Sequence, residues 1–426
     1  MNVKDNYQLL KKTLQNELMK TLEMGGEWSD EEIMNQIDDL IVSASKSIYL
    51  SGYRKLMMKQ ELFNSVRRLD LLQELVDDKE ISEIMVNGAG DIFYERNGQM
   101  YRWEKSFDSN EKLEDVIQQI VAGANRQVNE ASPIVDARLS DGSRVNVVLK
   151  PIALNGPILT IRKFPEKPMD MECLIREGAI TQEAADYLKK LVKAKYNIFI
   201  SGGTSTGKTT MLNALMQYVP MSERVITIED SAELQIHNIN NLVKLEARNA
   251  SADGEHQVSI RDLIKSAMRM RPDRIIVGEV RGVESVDMIQ AMSSGHDGSI
   301  STGHAGSAEE MLSRLETMIL MGTEIPLIAV RKQIASAIDI VIQLEKLRDK
   351  SRRVTAITEV VGFEDGEIKL NPLFIFKENV ENNMVREETE YMGETVRVSG
   401  NLVASGNRLI HRKKLSAAAI MLGDEM

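Results

Sequence analysis

Short apolar runs alternate with stretches of helical spacing through the second half of the chain. A helix is expected at about 181–195, followed by the apolar strand 197–201, a helix after Gly207, and a strand at 224–230. A helix from Ile260, a strand at 274–280, a helix near 285–293 and a strand at 299–302 continue the series. Strands alternating with helices imply a parallel sheet covered on both faces. From Asp339 the pattern turns β-rich, with a turn at Asp365-Gly366.

The first half has another texture. Residues 1–64 are polar and helix-favouring, and Ser29 or Asp30 followed by Glu31 and Glu32 is a helix start. Between Leu71 and Trp103, β-prone pieces at 83–87 and 91–96 are separated by turns at Asn87-Gly88-Ala89-Gly90 and Asn97-Gly98, which predicts a small antiparallel sheet. Leu113, Val116, Ile117, Ile120 and Val121 share one helical face, and strand character resumes at 144–149 and 158–164. Pro165 and Pro168, amid mixed charge, disfavour both helix and central strand and mark a linker. The expected division is a helical extension at 1–64, an α/β domain at 65–162, a linker at 163–175, a nucleotide-binding domain at 176–372 and a C-terminal β/helical extension at 373–426.

Composition narrows the function classes. The 426 residues are 42% hydrophobic and 27% charged, the balance of a folded globular chain, and the length suggests two or three domains. With 53 Lys and Arg against 64 Asp and Glu, the net charge is −11, so the surface as a whole repels polyanions and a nucleic-acid partner is not expected. The single cysteine, Cys173, excludes an intrachain disulfide and a cysteine-rich metal site. The charged N-terminus lacks the apolar stretch of an export signal, and no run of about 18 apolar residues is present to span a bilayer. Any membrane role is expected to be peripheral.

Residues 202–209 read Gly-Gly-Thr-Ser-Thr-Gly-Lys-Thr, which satisfies G-x-x-x-x-G-K-[ST] and lies between an apolar strand and a helix. Gly202, Gly203, Thr204, Ser205, Thr206 and Gly207 turn backbone amides around phosphate, and Lys208 supplies a point charge for the β and γ phosphates. Thr209 is expected to hold Mg²⁺ through its hydroxyl, with Thr210 following it on the helix. Acidic residues at the ends of the strands fall at the ligand crevice of such a sheet: Glu229 and Asp230 on one, Glu279 on another. Glu279 is the expected base for the attacking water. Gly278 stands where an aspartate is commonly expected, so Mg²⁺ is expected to be held largely through water. His304 follows its strand into the same crevice, where an imidazole can sense the γ-phosphate, and His296 is a weaker candidate for similar work. Arg261, Lys265, Arg269, Arg271, Arg274 and Arg281 surround the Glu279 strand, as ligands of nucleotide or neighbour or as a solvated face. The segment 408–415 is expected as a solvated helix, with anionic lipid as its other reading.

With these motifs the chain resembles the ATPases of the type II and type IV secretion superfamily, most closely the CpaF-type ATPases of tight-adherence (Flp) pili. The resemblance runs from about Leu71 to Ile420 through SEIMVNG, PIVDARLSDGSRVN, LTIRKF, SGGTSTGKTT, ITIEDSAELQ, SIRDLIKSAMRMRPDRIIVGEVRG, QAMSSGHDGSISTGHA and RLETMILM. It implies an α/β fold in which a RecA-like P-loop ATPase domain follows a smaller, sensor-like α/β domain and an N-terminal helical extension. It further implies an ATP- and Mg²⁺-dependent homo-hexamer in the cytoplasm, peripheral to the inner membrane, working beneath the platform proteins of a pilus or secretion system. In that resemblance residues 202–210 are the Walker A motif, Glu229 to Glu233 the acidic box, Glu279 the glutamate of an atypical Walker B motif and His304 the histidine of the histidine box. Arg144, Arg162 and Arg248 match family arginines that complete the site. Two positions depart from the pattern: Ser205, where glycine is frequent, and Gly303, where a larger apolar residue is common. The alternatives are a RecA-like nucleic-acid motor, disfavoured by the acidity and by only 4% aromatics, and a scaffold that binds ATP without turnover.

Overall fold

Ser29 opens the helix Asp30–Ala44 with a capping box: its hydroxyl accepts from the Glu32 amide, and the Glu32 carboxylate accepts from the Ser29 amide. The helices Val3–Glu23 and Gly52–Arg67 join it around Leu14, Leu18, Ile33, Ile37, Ile41, Met58 and Leu62. The computed structural model describes residues 3–23, 28–46, 48–96, 98–164, 169–248, 257–379 and 398–422. Contacts divide the chain into two units, Met1–Glu166 and Lys167–Met426. Residues 165–168 of the expected linker lie outside the described residues, and the short helix Met171–Arg176, capped by Asp170, begins in its remainder and ends one residue beyond it.

In the first unit, strands β1 (Ile81–Asn87), β2 (Ile92–Arg96), β3 (Gln99–Arg102), β4 (Ile134–Arg138), β5 (Arg144–Val148) and β6 (Ile158–Arg162) form one antiparallel sheet. Its order is β3-β2-β1-β6-β5-β4. The inward alternation of Ile84, Val86, Val145, Val147, Leu159 and Ile161 meets the apolar stripe of the helix Asn110–Gly123. Gly88 adopts φ +77°, and a Cβ there would lie 2.7 Å from the Asn155 carbonyl oxygen, so the turn after β1 requires glycine.

The second unit holds β7 (Ile198–Gly202), β8 (Arg224–Glu229), β9 (Asn241–Glu246), β10 (Arg274–Val277), β11 (Ile300–Gly303), β12 (Ile340–Lys346), β13 (Arg352–Glu364), β14 (Glu367–Glu378) and β15 (Gly400–Ala404). Their order is β15-β14-β13-β12-β7-β11-β10-β8-β9. β9 through β12 across this order are parallel, and β13, β14 and β15 extend the sheet antiparallel. Every residue of β7, β10 and β11 is buried. Ile198 and Ile200 enter one core with Leu188 and Leu212, while Phe199 enters the other with Ile289 and Met311, so successive residues feed opposite faces of a doubly covered sheet. β14 runs through the boundary expected at 372/373.

The segment 408–415 is anchored at some positions and exposed at others: Arg408, Arg412 and Lys413 are exposed, and the short helix Lys413–Ala417 begins within it. Ile410 and His411 donate their amides to Glu359, which is 1% exposed, and the Lys414 ammonium pairs with Asp339 and Asp297 at 2.7 Å each. Lys414 and these two backbone amides fasten the segment to the rest of its unit.

Candidate nucleotide site

β7 lies between β12 and β11, so its C-terminal end opens at the place where parallel α/β sheets hold ligands. The chain leaves β7 at Gly202, loops through Gly203, Thr204, Ser205 and Thr206, and enters the helix Lys208–Met216 from Gly207 at φ +96°. A Cβ on Gly202 would stand 2.6 Å from Thr206 Oγ1 and 2.7 Å from the Leu344 carbonyl oxygen, because β12 presses on the loop. Ser205 holds φ +58°, the left-handed region that glycine favours. Serine thus keeps the loop shape at a backbone cost of roughly 1–2 kcal/mol. Lys208 Nζ donates to the Gly202 and Gly203 carbonyls at 3.1 and 2.9 Å and lies 3.3 Å from His304 Nδ1. Burial lowers the Lys208 ammonium's hold on its proton, Glu279 opposes this, and Arg281 adds to it.

The acidic residues converge from two strands. At the end of β8, Glu229 is 4% exposed; its Oε1 accepts from the Glu233 and Leu234 amides at 2.8 and 3.0 Å, while Oε2 is buried with no partner. Burial pushes its carboxyl up to about 7 against the effect of those two amides. Glu233 Oε2 receives the Thr209 hydroxyl at 3.5 Å. A Cβ on Gly278 would lie 2.9 Å from Glu229 Cγ, so the stem of Glu229 occupies the space of the absent aspartate.

Gly278 to Gly282 is pinned from both sides. The Gly278 amide donates to the Ile228 carbonyl, Thr302 Oγ1 donates to the Gly278 carbonyl, and the Val280 amide donates to the Thr302 carbonyl. From this segment Glu279 places Oε1 2.7 Å from His304 Nε2 and Oε2 2.6 Å from Arg281 Nη2, and Arg281 Nη1 is 3.9 Å from Asp230. Burial lowers the His304 imidazole's affinity for protons, with Glu279 pulling the other way and Lys208 and Arg281 reinforcing it. A Cβ on Gly303 would meet Met311 Sδ at 2.8 Å and Phe199 Cε1 at 2.9 Å, so those side chains fill the volume of the expected larger residue.

The chain matches the family described as "Type II/IV secretion system protein" over residues 67–400. It belongs to that family. It is 41% identical over 243 residues to an uncharacterised protein of Methanocaldococcus jannaschii, covering 55% of this chain but only 33% of that one. It is 32% identical over 306 residues to the type IV secretion system protein VirB11 of Brucella suis, covering 65% of this chain and 84% of that one. Among solved structures, the pilus retraction motor PilT with bound ADP matches at a TM-score of 0.53 and 19% identity over 75% of this chain and 86% of that one, a likeness of fold. The expected superfamily and the α/β fold hold.

Within this secretion-family unit, Lys208, Thr209, Glu229, Asp230, Glu233, Glu279 and His304 come together, linked by the contacts given above. Arg144 and Arg162 are register partners on β5 and β6 of the first unit. Arg248 lies just beyond β9, where its backbone pairs with Val258. His296 precedes β11, at the strand end opposite His304, near Ser294 and the Ala291 carbonyl, so it is not in the crevice. The six cations around the Glu279 strand have different surroundings, with Arg269 and Arg271 exposed as a solvated face would have them. Arg274 is fully buried against Glu223 and the Gly298 carbonyl, and Arg261 and Lys265 pair with Asp287. Arg281 alone of them pairs with Glu279, and the signal for it was its place two residues beyond that glutamate.

Glu229 gives a test in solution. Its raised carboxyl stabilises the fold fully below the unfolded value, and that stability is lost as pH rises through about 7. Glu229→Gln is therefore expected to raise the melting temperature of the protein without added nucleotide at about pH 8, with the gain vanishing toward about pH 5. An equal gain at both pH values would show that Glu229 does not titrate in this range.

Proposed function

We propose that the chain hydrolyses ATP as a cytoplasmic homo-hexamer, peripheral to the inner membrane, to power a Flp/Tad-type pilus or secretion system through that system's platform proteins. The observation that carries hydrolysis is the contact series Lys208–His304–Glu279, which joins the phosphate-binding lysine to a carboxylate beside the P-loop. Hydrolysis requires that the oxygen of a water bond to the γ-phosphorus, that its proton pass to Glu279, and that the bond from the γ-phosphorus to the bridging oxygen break, with ADP leaving on its electron pair. Glu279 has the buried oxygen for that proton, and His304 stands where it can register a phosphate beside Lys208.

The oxygen donors also suit Mg²⁺, which would neutralise phosphate charge when bound. Thr209 would hold it directly, and Glu233 and the unpartnered Oε2 of Glu229 would hold its water ligands. Among the described residues no helix is long and apolar enough to cross a membrane, which is compatible with a peripheral position. Relatives named as putative conjugal transfer proteins, one from Mycobacterium tuberculosis at 32% identity over 83% of its length, favour the second reading, a nucleic-acid motor. The net charge of −11 weighs against it.

Lys208→Ala is expected to weaken binding of a fluorescent ATP analogue about 10- to 150-fold, the loss of a charge-assisted partner at roughly 1.5–3 kcal/mol. Undiminished binding would overturn the P-loop assignment. Turnover measured with membrane vesicles and with single-stranded DNA separates the two readings, and stimulation by DNA alone would favour the second.

A further inference from the structure

The two oxygens of Glu279 live in different surroundings. Oε2 accepts from Arg281 Nε at 2.7 Å and faces Nη2 at 2.6 Å, so a single oxygen takes both arms of the guanidinium. Oε1 is buried and makes no hydrogen bond, with His304 Nε2 standing 2.7 Å away. A buried carboxylate oxygen left without a hydrogen bond is costly, and a water would relieve it. Arg281 is itself held in place. Its amide and that of Gly282 donate to Glu284 Oε1 at 2.6 and 2.9 Å, and its Nη1 faces Asp230 at 3.9 Å.

We propose that Arg281 is a positioning residue for hydrolysis: by tying Oε2 of Glu279 it turns Oε1 toward the P-loop as the oxygen that accepts the water's proton. This rests on Glu279 being the base. The water oxygen bonds to phosphorus, its proton goes to Oε1, and ADP departs with the electrons of the broken bond. Arg281 touches no reacting atom. Its energetic role is to remove the rotation of the carboxylate about its last bond, so that the bare oxygen does not swing away from the water.

The test is a cycle of four proteins: wild type, Arg281→Ala, Glu279→Gln and the double variant, with Arg281→Lys as the partial replacement. The Arg281 side chain is 61% exposed, so its truncation leaves no core cavity. Arg281→Ala is expected to lower kcat about 10- to 100-fold, as misplacement of a catalytic group does, with KM and ATP-analogue binding changed less than about threefold. Arg281→Lys is expected to recover part of kcat, since an ammonium restores one donor to Oε2. In the Glu279→Gln background, Arg281→Ala is expected to have no further effect, because the group it positions is already disabled. Weakened analogue binding at unchanged kcat would make Arg281 a nucleotide ligand and overturn the proposal. An equal further loss in the Glu279→Gln background would also overturn it. Full turnover in Glu279→Gln would refute the base assignment itself, whereas an inactive Glu279→Gln with a fully active Arg281→Ala would refute only the role of Arg281.

Discussion

Glu279→Gln is expected to bind ATP with near-normal affinity and to hydrolyse it about 10²- to 10⁴-fold more slowly, the usual cost of removing a general base. The amide keeps the size of the carboxylate and can still accept from Arg281 through its oxygen, so the pinned segment from Gly278 to Gly282 retains its support. What it lacks is a lone pair basic enough for the water's proton. Lys208 and the P-loop amides are untouched, which is why binding survives. Single-turnover hydrolysis and analogue binding, measured side by side, check both halves. If Glu229→Gln shows the loss and Glu279→Gln does not, the two carboxylates have exchanged roles, and the raised carboxyl of Glu229 would then be the poised base.

The second large effect concerns the arginines outside this cluster. In the family that this chain resembles arginines complete the nucleotide site, and a missing arginine contact to the γ-phosphate costs about 10³- to 10⁵-fold in turnover. Arg144 and Arg162 stand side by side on β5 and β6, and Arg248 follows β9. Arg144→Ala, Arg162→Ala or Arg248→Ala is therefore expected to cut turnover by such a factor with ATP affinity nearly intact. Specific activity is also expected to climb steeply with protein concentration as subunits assemble. Full activity per subunit in a species that light scattering shows to be monomeric would refute a site shared between subunits.

Much of this site was legible in the sequence because its elements are local. The P-loop is contiguous, its strand is a plain apolar run, and Ser29 with Glu32 announces a helix start through chemistry that spans three residues. Long-range pairing was not legible. Whether His296 or His304 faces the P-loop depends on the direction of β11 against β7, since the two histidines lie at opposite ends of one strand. Arg274 and Arg281 have the same charge and lie seven residues apart in the sequence, yet one is fully buried against Glu223 and the other meets Glu279. Nothing in periodicity distinguishes them. The fastening of residues 408–415 likewise depends on Glu359 and Asp339, acidic partners about 50 and 75 residues upstream.

The interlock of Gly278 with Glu229 bears on how such a site can change over generations. With Glu229 in place, even a methyl group at 278 would stand 2.9 Å from its Cγ, so an aspartate cannot enter there by a single replacement without displacing the glutamate. Shortening residue 229 first would free the space but withdraw the oxygen that accepts from the Glu233 and Leu234 amides, leaving two donors in need of a partner. Each single step is therefore expected to cross a less stable protein, which couples the two positions. The glycine at 278 is thus a commitment made by a neighbouring strand, and a lineage that carries this glutamate has little freedom to regain the aspartate.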